Sequence, residues 1–507
     1  MRPRMSRAAL GAGALTVALA LGTAAAGPVR GDEPWPEIPA APGGPIPSLP
    51  TDELVQEFEG APAISRPMAH PSVPQNPFLA PNGTSSMHND SYSTDAYDVS
   101  GPLGRDLSVT SRSYGVRECA TITFDSRGRI VGLCGGLDGF TMMLIDPETL
   151  EPISELTMPG RDATSGRNPF TDICGGTYFF LDAHDRAFAT TTTGEIWEVR
   201  QTPDDELVRA RSWNLAPHLA EDDCLVAVAP DWQGRVWFFS QHGTVGTLDR
   251  SNGQVATLEL GGGENIVNSV SADETGGVYP VSTHAAYRLD ADAQGRPTVT
   301  WRRAYDRGTR QKPGMLSRGS GTSPTLLGRR WLAIADNADP RTRILVYDRR
   351  TGARHCRVPV LTPGASTTEN SLVAAGRSFI IENNYGYEGP QTTTLGRSTT
   401  PGVARVRLSR DGCRVAWTSP VTAPTSVPKA SHGNGLLYVY SKPARQDGVD
   451  AWYLTAIDIR SGKTVWSRLT GTGIQWNNHY AAIYLGPDGT AYVATLAWLV
   501  RVADGQT

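Results

Sequence analysis

The segment GRVWFFS at residues 234–240 is one copy of a short strand pattern that recurs along the chain. Seven further segments align with it: GRIVGLC (128–134), DRAFATT (185–191), GGVYPVS (276–282), RRWLAIA (329–335), RSFIIEN (377–383), GLLYVYS (435–441) and GTAYVAT (489–495). Most begin with a turn glycine and continue with β-branched or aromatic residues, which is typical of a strand in a hairpin. The copies recur about every 50 residues, the spacing of four-stranded propeller blades. The sequence therefore predicts an all-β fold, an eight-bladed β-propeller, with seven blades as the alternative if one copy is an insertion.

The last copy lacks a fourth strand, because its third strand runs into LVRVADGQT at residues 499–507. A β-patterned segment, RDLSVTSRS at 105–113, stands before the first complete copy. Since an open ring would leave strand edges exposed, we predict that this N-terminal strand closes the propeller as its missing outer strand. The expected organisation is a signal peptide at 1–26, a Pro-rich arm or linker at 27–103 and the propeller at 104–507.

Residues 1–26 have the pattern of a secretory signal, with Arg2, Arg4 and Arg7 before an apolar centre and small residues at 24–26. A retained membrane anchor is the alternative, but the many Ala and Gly residues make this segment only weakly apolar. Residues 27–80 are Pro-rich and expected to be extended. Residues 81–103 are polar and aromatic, and either pack on the propeller or form a free linker. We predict a secreted, extracellular protein without a membrane span.

The charge balance of the chain excludes one class of partner. Lys and Arg number 47 against 51 Asp and Glu, so the formal net charge is −4. A nucleic-acid-binding protein needs a basic surface, so nucleic acid is not an expected partner. Hydrophobic residues make up 39% of the chain, which is too many for a disordered protein. We expect a monomer.

The segment TAIDIRSGKTVW at 455–466 closely resembles the repeat of the pyrroloquinoline-quinone-type propellers. The resemblance implies that Asp458 and Gly462 shape the turn between the third and fourth strands and that Trp466 docks against the neighbouring blade. Trp213, Trp301 and Trp417 stand in similar places. The quinone-dependent dehydrogenases of this family also place two adjacent cysteines beside the cofactor. No such pair occurs in this chain, so PQQ is not an expected cofactor.

The chain has six cysteines, an even number that favours disulfides in a secreted protein. A hairpin turning at 126–127 places Cys119 opposite Cys134. Two cysteines stand at the first-strand starts of adjacent copies and two on predicted fourth strands of adjacent copies. The predicted pairs are therefore Cys119–Cys134, Cys174–Cys224 and Cys356–Cys413. A metal site is the alternative, but no CxxC spacing supports it.

Polar residues gather where first strands begin and second strands end, two positions that share one face of a propeller. Capping of strand ends and solvation of a central channel would explain each such residue alone. The alternative is that carboxylates and amides of several blades converge near the axis to bind a ligand. The predicted ligand-binding residues are Glu118, Asp172, Asp223, Asn268, Asp336, Asn337, Asn434 and Asn478.

Three Glu-Asn pairs resemble the calcium-holding strand ends of six-bladed lactonase and esterase propellers, the gluconolactonase and paraoxonase families. The resemblance implies Ca²⁺ as a candidate cofactor, because this cation takes six to eight oxygen ligands. The implied metal ligands are Glu264, Asn265, Glu369, Asn370, Glu382 and Asn383. Bound Ca²⁺ would polarise a carbonyl or activate water, with His432 or His479 as the candidate catalytic base.

Three functions remain open at this point. The first is binding of an extracellular small molecule or polymer at the Asp/Asn/Glu-rich face, with Ca²⁺ as a candidate participant. The second is a metal-assisted hydrolase of the lactonase or esterase kind that uses the same face. The third is a scaffold that recognises another protein through the rim or top loops. The sequence does not decide whether the protein is an enzyme.

Overall fold

A computed structural model describes residues 55–137, 139–161, 168, 171–174 and 178–505. Within these residues the strands form eight sheets, antiparallel except for one short parallel pair. Each sheet packs on the next, and the eighth packs on the first, so the sheets form a closed ring. The eight-bladed propeller is confirmed, and the seven-bladed alternative is wrong. The predicted signal peptide and the first part of the Pro-rich arm, up to residue 54, lie outside the described residues.

The first four blades occupy residues 118–304, and their strands follow one another in sequence. Blade 1 contains Glu118–Phe124, Ile130–Gly135, Gly139–Ile145 and Pro152–Gly160. Blade 2 contains Phe179–Leu181, Ala187–Thr190, Glu195–Gln201 and Leu207–Asn214. Blade 3 contains Leu225–Pro230, Val236–Ser240, Thr244–Leu248 and Val255–Glu259. Blade 4 contains Ser271–Ala272, Val278–Tyr279, Ala285–Ala291 and Pro297–Ala304.

The other four blades follow the same order, except that blade 8 takes its outer strand from the N-terminal side of the chain. Blade 5 contains Thr325–Leu327, Trp331–Ala335, Arg343–Asp348 and Arg354–Pro359. Blade 6 contains Val373–Ala374, Ser378–Glu382, Val403–Ser409 and Gly412–Ser419. Blade 7 contains Lys429–Ser431, Leu436–Ser441, Ala451–Asp458 and Thr464–Thr472. Blade 8 contains Ile483–Leu485, Ala491–Ala494 and Trp498–Ala503, and the last of these pairs with Ser108–Ser113.

Between blades, fourth-strand tryptophans pack on turn glycines of the following blade. Trp301 lies on Gly352 and Trp417 lies on Gly462, and each indole N–H donates to a backbone carbonyl of that turn at 2.9 Å. Gly462 has a φ of +75°, and a Cβ there would lie 2.5 Å from the Trp417 ring. The turn and the ring therefore both require glycine. These contacts confirm that outer-strand tryptophans dock on the neighbouring blade.

Residues 85–97, which we call the axial segment, lie in the central channel. The segment accepts backbone hydrogen bonds from the otherwise free edges of the first strands of blades 2, 4, 5, 6 and 7. Ala96–Tyr97 also pairs in parallel with Lys429–Ser431. Nearly all of its residues are buried. The segment thus supplies hydrogen-bond partners that the inner strand edges would otherwise lack.

The blades define two faces. We call the face where first strands begin and second strands end the upper face, and the face that carries the turns between first and second strands the lower face. The axial segment bonds to Leu181, Ala272 and Ala374, each the last residue of a first strand, so it occupies the lower part of the channel. Phe58–Gly60 continues the arm as an added outer strand on blade 7.

The three disulfides are Cys119–Cys134, Cys174–Cys224 and Cys356–Cys413. The first joins two strands of blade 1, the second joins the starts of blades 2 and 3, and the third joins the outer strands of blades 5 and 6. All three predicted pairings are confirmed.

In the part of the chain that the structure describes, no helix is long and apolar enough to cross a membrane.

Candidate functional site

A cavity of about 420 Å³ occupies the upper half of the channel, above the axial segment. Its floor includes Met87 and His88 of that segment. Val116 and Leu137, whose side chains are strongly exposed, line its upper rim. The cavity is therefore closed below by the chain's own N-terminal segment and accessible from the upper face.

Most of the wall is apolar. The larger apolar and aromatic lining residues are Leu133, Phe140, Ile173, Tyr178, Val267, Leu316, Tyr480 and Leu496. They come from strand starts and loops of different blades, so a wall of this kind exists only after the ring has closed. A cavity of this size and character matches the sites that bind small organic molecules.

Two glutamates stand in this apolar wall. Glu369 is 8% exposed, and its Oε2 accepts the Leu316 N–H at 3.1 Å. Glu118 begins the first strand of blade 1. Among the described residues, Oε1 of Glu118 and Oε1 of Glu369 have no hydrogen-bond partner. Burial raises the pKa of Glu369 to about 8 and raises the pKa of Glu118 well above its usual value. Burial therefore favours the neutral acid form of both side chains until a cation or a hydrogen-bond donor approaches them.

The floor carries a relay of three polar side chains. His88 Nδ1 lies 3.1 Å from both carboxylate oxygens of Asp95, and His88 Nε2 lies 3.2 Å from Ser323 Oγ. The Lys429 ammonium donates to Asp95 Oδ1. Burial alone would raise the pKa of Asp95, but the charges of Lys429 and His88 lower it below its usual value. Asp95 is therefore a carboxylate anion, and it fixes the orientation of the His88 ring.

This relay was not predicted from the sequence. His88 and Asp95 belong to a segment that the composition left open between packing and a free linker. Ser323 lies 235 positions from His88, and no local motif connects them. The available signal was the unusual density of His, Asn and Asp at residues 88–95 within an otherwise Pro-rich arm.

Three of the eight predicted ligand-binding residues line the cavity: Glu118, Asp172 and Asn268. The Asp172 carboxylate is ion-paired with Arg161. Asn268 donates to the Ser320 carbonyl at 3.0 Å. Glu118 is therefore the one of these three whose carboxyl group combines burial with an unpartnered oxygen among the described residues.

Four other predicted ligand-binding residues lie on the upper face and stabilise loops. Asp223 accepts the N–H groups of Cys224 and His242 at 2.8 and 2.9 Å. Asp336 is ion-paired with Arg343 at 2.7 Å. Asn337 donates to the carbonyls of Arg307 and Arg310, both at 2.8 Å. Asn478 Oδ1 accepts the Thr425 hydroxyl at 2.9 Å. These bonds match the strand-end capping that the sequence analysis gave as the explanation for each such residue alone.

The sequence analysis predicted that Asn434 and His432 lie on the upper face, and this prediction is wrong. The first strand of blade 7 is Lys429–Ser431, so both residues lie in the following turn, on the lower face. The prediction failed because this strand faces the axial segment. It therefore carries the polar residues Lys429 and Ser431 instead of the apolar residues by which a strand is recognised. The second candidate base, His479, does line the cavity, and its Nδ1 lies 2.9 Å from the Tyr387 hydroxyl.

The six implied calcium ligands do not form one ligand shell. Glu264 is held by Arg302 at 2.6 Å and by the Tyr287 hydroxyl at 2.7 Å. Asn383 donates to the Ala365 carbonyl at 3.0 Å, and the Asn265 backbone N–H donates to the Thr283 hydroxyl at 3.1 Å. Among the described residues, the clusters able to hold an ion through His, Cys, Asp or Glu include none of these glutamates.

The other three implied ligands do lie together. Asn370 Nδ2 donates to Glu382 Oε1, and Asn384 Nδ2 donates to the same oxygen at 3.0 Å. Glu369 and Asn370 line the cavity. Oδ1 of Asn370 has no hydrogen-bond partner within the described part of the chain, whereas Glu382 also has a hydrogen bond from Ser426. This wall is therefore rich in oxygen acceptors that a bound donor or cation would satisfy.

Comparison with known proteins gives one relative and many structural neighbours. No protein-family model matches the chain. An uncharacterized protein of Archaeoglobus fulgidus is 26% identical over 407 residues, covering 72% of this chain and 76% of that protein. That level of identity does not assign the chain to a family, so its membership of the pyrroloquinoline-quinone-type family stays a prediction.

The structural neighbours are β-propellers. BamB of Moraxella catarrhalis is 13% identical, with a TM-score of 0.40, over 63% of this chain and 94% of its own. An inactive virginiamycin B lyase of Staphylococcus aureus, solved with quinupristin, is 11% identical, with a TM-score of 0.42, over 78% and 99%. The C-terminal WD40 domain of Sif2 is 12% identical, with a TM-score of 0.44, over 88% and 100%. The similarity concerns the fold alone.

Proposed function

We propose that the protein is a binding protein whose axial cavity takes a small organic molecule with an apolar body and an ammonium head group. One observation carries the proposal: the apolar cavity contains two buried carboxyl groups, Glu118 and Glu369, each with an oxygen that lacks a partner among the described residues. An apolar body would cover the wall, and an ammonium group would donate to these oxygens. Charge-assisted hydrogen bonds of this kind are stronger than neutral ones.

Binding of such a cation is linked to proton release. A neighbouring positive charge favours the ionised form of a carboxyl group, which lowers its pKa. Because burial raises the pKa of Glu369 to about 8, the acid must lose its proton as the ammonium binds near neutral pH. The affinity is therefore expected to rise by up to about tenfold per pH unit between pH 6 and pH 8.

The test is calorimetric titration with 2-phenylethylammonium and with 2-phenylethanol, its neutral isostere. The wild type should prefer the ammonium compound and release protons, seen as a dependence of the measured heat on the buffer. Glu369→Gln and Glu118→Gln should each weaken ammonium binding by about 10- to 100-fold, because each removes a charged acceptor. The matched control is Glu155→Gln, on the exposed outer strand of blade 1, which should bind as the wild type does.

Equal affinity for the ammonium compound and the alcohol would contradict the proposal. So would ammonium binding that both cavity variants leave unchanged. Complete absence of binding by either probe would favour the scaffold, in which the rim and top loops meet another protein.

A second candidate function is ester hydrolysis, and the Asp95–His88–Ser323 relay favours it. In this candidate Ser323 Oγ attacks the carbonyl carbon of a bound ester and passes its proton to His88 Nε2. His88 then protonates the departing alcohol, and water releases the acid in a second addition. Asp95 fixes the ring through Nδ1 at 3.1 Å. This chemistry needs no metal, unlike the metal-assisted hydrolase that the sequence suggested.

The hydrolase candidate predicts covalent labelling of Ser323 by a fluorophosphonate probe. Ser323→Ala should abolish the label and any p-nitrophenyl acetate hydrolysis above background, a loss of at least about 100-fold. Ser371 also lines the cavity and lies 3.2 Å from His88 Nδ1. Ser371→Ala therefore tests whether the label follows the relay geometry, and it should leave labelling intact. An unlabelled wild type rejects this function without affecting the binding proposal.

Calcium and location complete the proposal. Ca²⁺ is proposed only for the Glu369–Asn370–Glu382 wall, and a melting point equal with CaCl₂ and with EGTA would reject it there. We propose an extracellular location, supported by three disulfides of the kind that persist in oxidising compartments.

A further inference from the structure

Three side chains that commonly bind metal ions meet on the lower face, away from the axial cavity. His70 belongs to the arm, Asp98 follows the axial segment, and His432 lies in the turn after the first strand of blade 7. His70 Nε2 is 3.0 Å from Asp98 Oδ1, and His432 Nδ1 is 3.6 Å from the same oxygen. The three potential ligand atoms all lie within 4.8 Å of one another.

These separations match a tetrahedral ion. Zn²⁺ binds imidazole nitrogen and carboxylate oxygen at about 2.0–2.2 Å, so neighbouring ligand atoms of a tetrahedron lie about 3.4 Å apart. The observed 3.0 and 3.6 Å lie on either side of that value. The three atoms are therefore spaced for one ion, although an imidazole ring must rotate before both nitrogens point at it.

The two imidazole rings contact each other face to face, and because a metal lies in the plane of each imidazole that binds it, one ring must rotate for both to share an ion. They stack in parallel, with centroids 3.8 Å apart and an angle of 6° between planes. His70 Nδ1 lies 3.1 Å from the Pro71 carbonyl, which fixes a proton there, so a metal at Nε2 would replace the proton that Nε2 shares with Asp98. The far side of His432 faces backbone, where the Gly376 N–H donates to Nε2 at 3.3 Å. His432 Nδ1 faces Asp98, and the contacts of both imidazoles hold the pKa of the Asp98 carboxyl well below its usual value.

The cluster also has room for a further ligand. His70, Asp98 and His432 line a second cavity of about 190 Å³ on the lower face. Three protein ligands with an adjoining water-accessible space are the arrangement of an open zinc site. Another His–Cys cluster, His355 with Cys356 and Cys413, offers no comparable site because its two sulfur atoms form a disulfide.

We propose that His70, Asp98 and His432 bind a divalent transition-metal ion of the Zn²⁺ type, which fastens the N-terminal arm and the end of the axial segment to blade 7. The three ligands come from these three parts of the fold. Existing backbone bonds follow the same path: Met68 N–H donates to the His432 carbonyl at 2.8 Å, and Arg66 N–H donates to the Asn434 carbonyl at 2.9 Å. The metal would thus add a connection through side chains to the two backbone hydrogen bonds that already join the arm to blade 7.

The test uses the full protein, stripped of metal by EDTA and dialysed, then titrated with ZnCl₂. We expect one equivalent to bind, and Co²⁺ in its place should give the visible absorption of a tetrahedral site. Asp98→Asn and His70→Gln should each weaken Zn²⁺ binding by more than about 10-fold. The Asp98 side chain is 80% exposed, so its substitution leaves the fold intact. The matched control is His218→Gln, in the short 3-10 helix Ala216–His218 of the blade 2–3 loop, which should bind Zn²⁺ as the wild type does.

A second measurement reads the fastening directly. Zn²⁺ should slow hydrogen exchange of the Arg66 and Met68 amides in the wild type and leave it unchanged in Asp98→Asn. The proposal is overturned if the wild type binds Zn²⁺ no more tightly than Asp98→Asn does. Zn²⁺ binding without any change in exchange of these two amides would overturn the fastening role.

Discussion

Replacing Lys429 by Met is expected to lower the free energy of unfolding by about 3–5 kcal/mol. Lys429 is completely buried on the inner strand of blade 7. Its ammonium donates to the Met87 carbonyl, to Asn89 Oδ1 at 2.9 Å and to Asp95 Oδ1, all three on the axial segment. Its loss removes the ammonium group that faces the buried Asp95 carboxylate, and an uncompensated buried charge is costly.

The double variant Lys429→Met with Asp95→Asn is the internal control. Removing both charges removes the desolvation cost of each, so this protein should recover more than half of the stability lost by Lys429→Met alone. Lys463→Met, in an exposed turn of blade 7, should change the free energy of unfolding by less than about 0.5 kcal/mol. Denaturant unfolding at constant pH measures all three. A loss below about 1 kcal/mol for Lys429→Met would show that Asp95 is neutral in the folded protein.

The second large effect concerns pH. Burial raises the pKa of Glu382 to about 8, although hydrogen bonds from Asn384 and Asn370 act in the opposite direction. The folded protein therefore keeps this proton over a range in which the unfolded chain has lost it. The stability contributed by Glu382 is fully present below pH 4, falls as pH rises, and is lost by about pH 8. The slope from this one residue is at most about 1.4 kcal/mol per pH unit.

Glu382→Gln should remove that slope, because the amide resembles the neutral acid and does not titrate. Between pH 5 and pH 8 its free energy of unfolding should change less steeply than that of the wild type, and at pH 8 the variant should be the more stable protein. Glu259→Gln, on the exposed outer strand of blade 3, should keep the wild-type slope. Denaturant midpoints at four pH values suffice. Identical slopes for wild type and Glu382→Gln would mean that Glu382 is ionised in the fold.

The fold could be predicted because propeller blades repeat their chemistry. Second strands are buried on both sides, so their central residues, such as VWFF at 236–239, are apolar and recur at a roughly constant spacing. Blade 7 shows the limit of the pattern. Its first strand faces the axial segment instead of an apolar core, so Lys429 and Ser431 replaced the expected β-branched residues and His432 was assigned to the wrong face.

The site could be predicted only in part. The expectation that upper-face acids converge placed Glu118 and Glu369 at one cavity. It also selected Glu264 and Asp336, whose arginine partners lie 38 and 7 positions away in sequence. Only three-dimensional contacts distinguish an acid that is neutralised by arginine from one that is not. The His88 relay could not be predicted for the same reason, since its position depends on how residues 85–97 pack against the inner strand edges.

The pairing of Ser108–Ser113 with Trp498–Ala503 gives the ring a single seam. Segments almost 400 residues apart in sequence must meet before the seam closes, and contacts of such long range slow folding. The axial segment precedes every blade in the chain, yet its hydrogen-bond partners on blades 4 to 7 are synthesised more than 170 residues later. The inner strand edges of those blades therefore gain their partners only when the early segment is already in the channel or enters it afterwards. Shortening either end would therefore affect the assembly rate as well as the final stability.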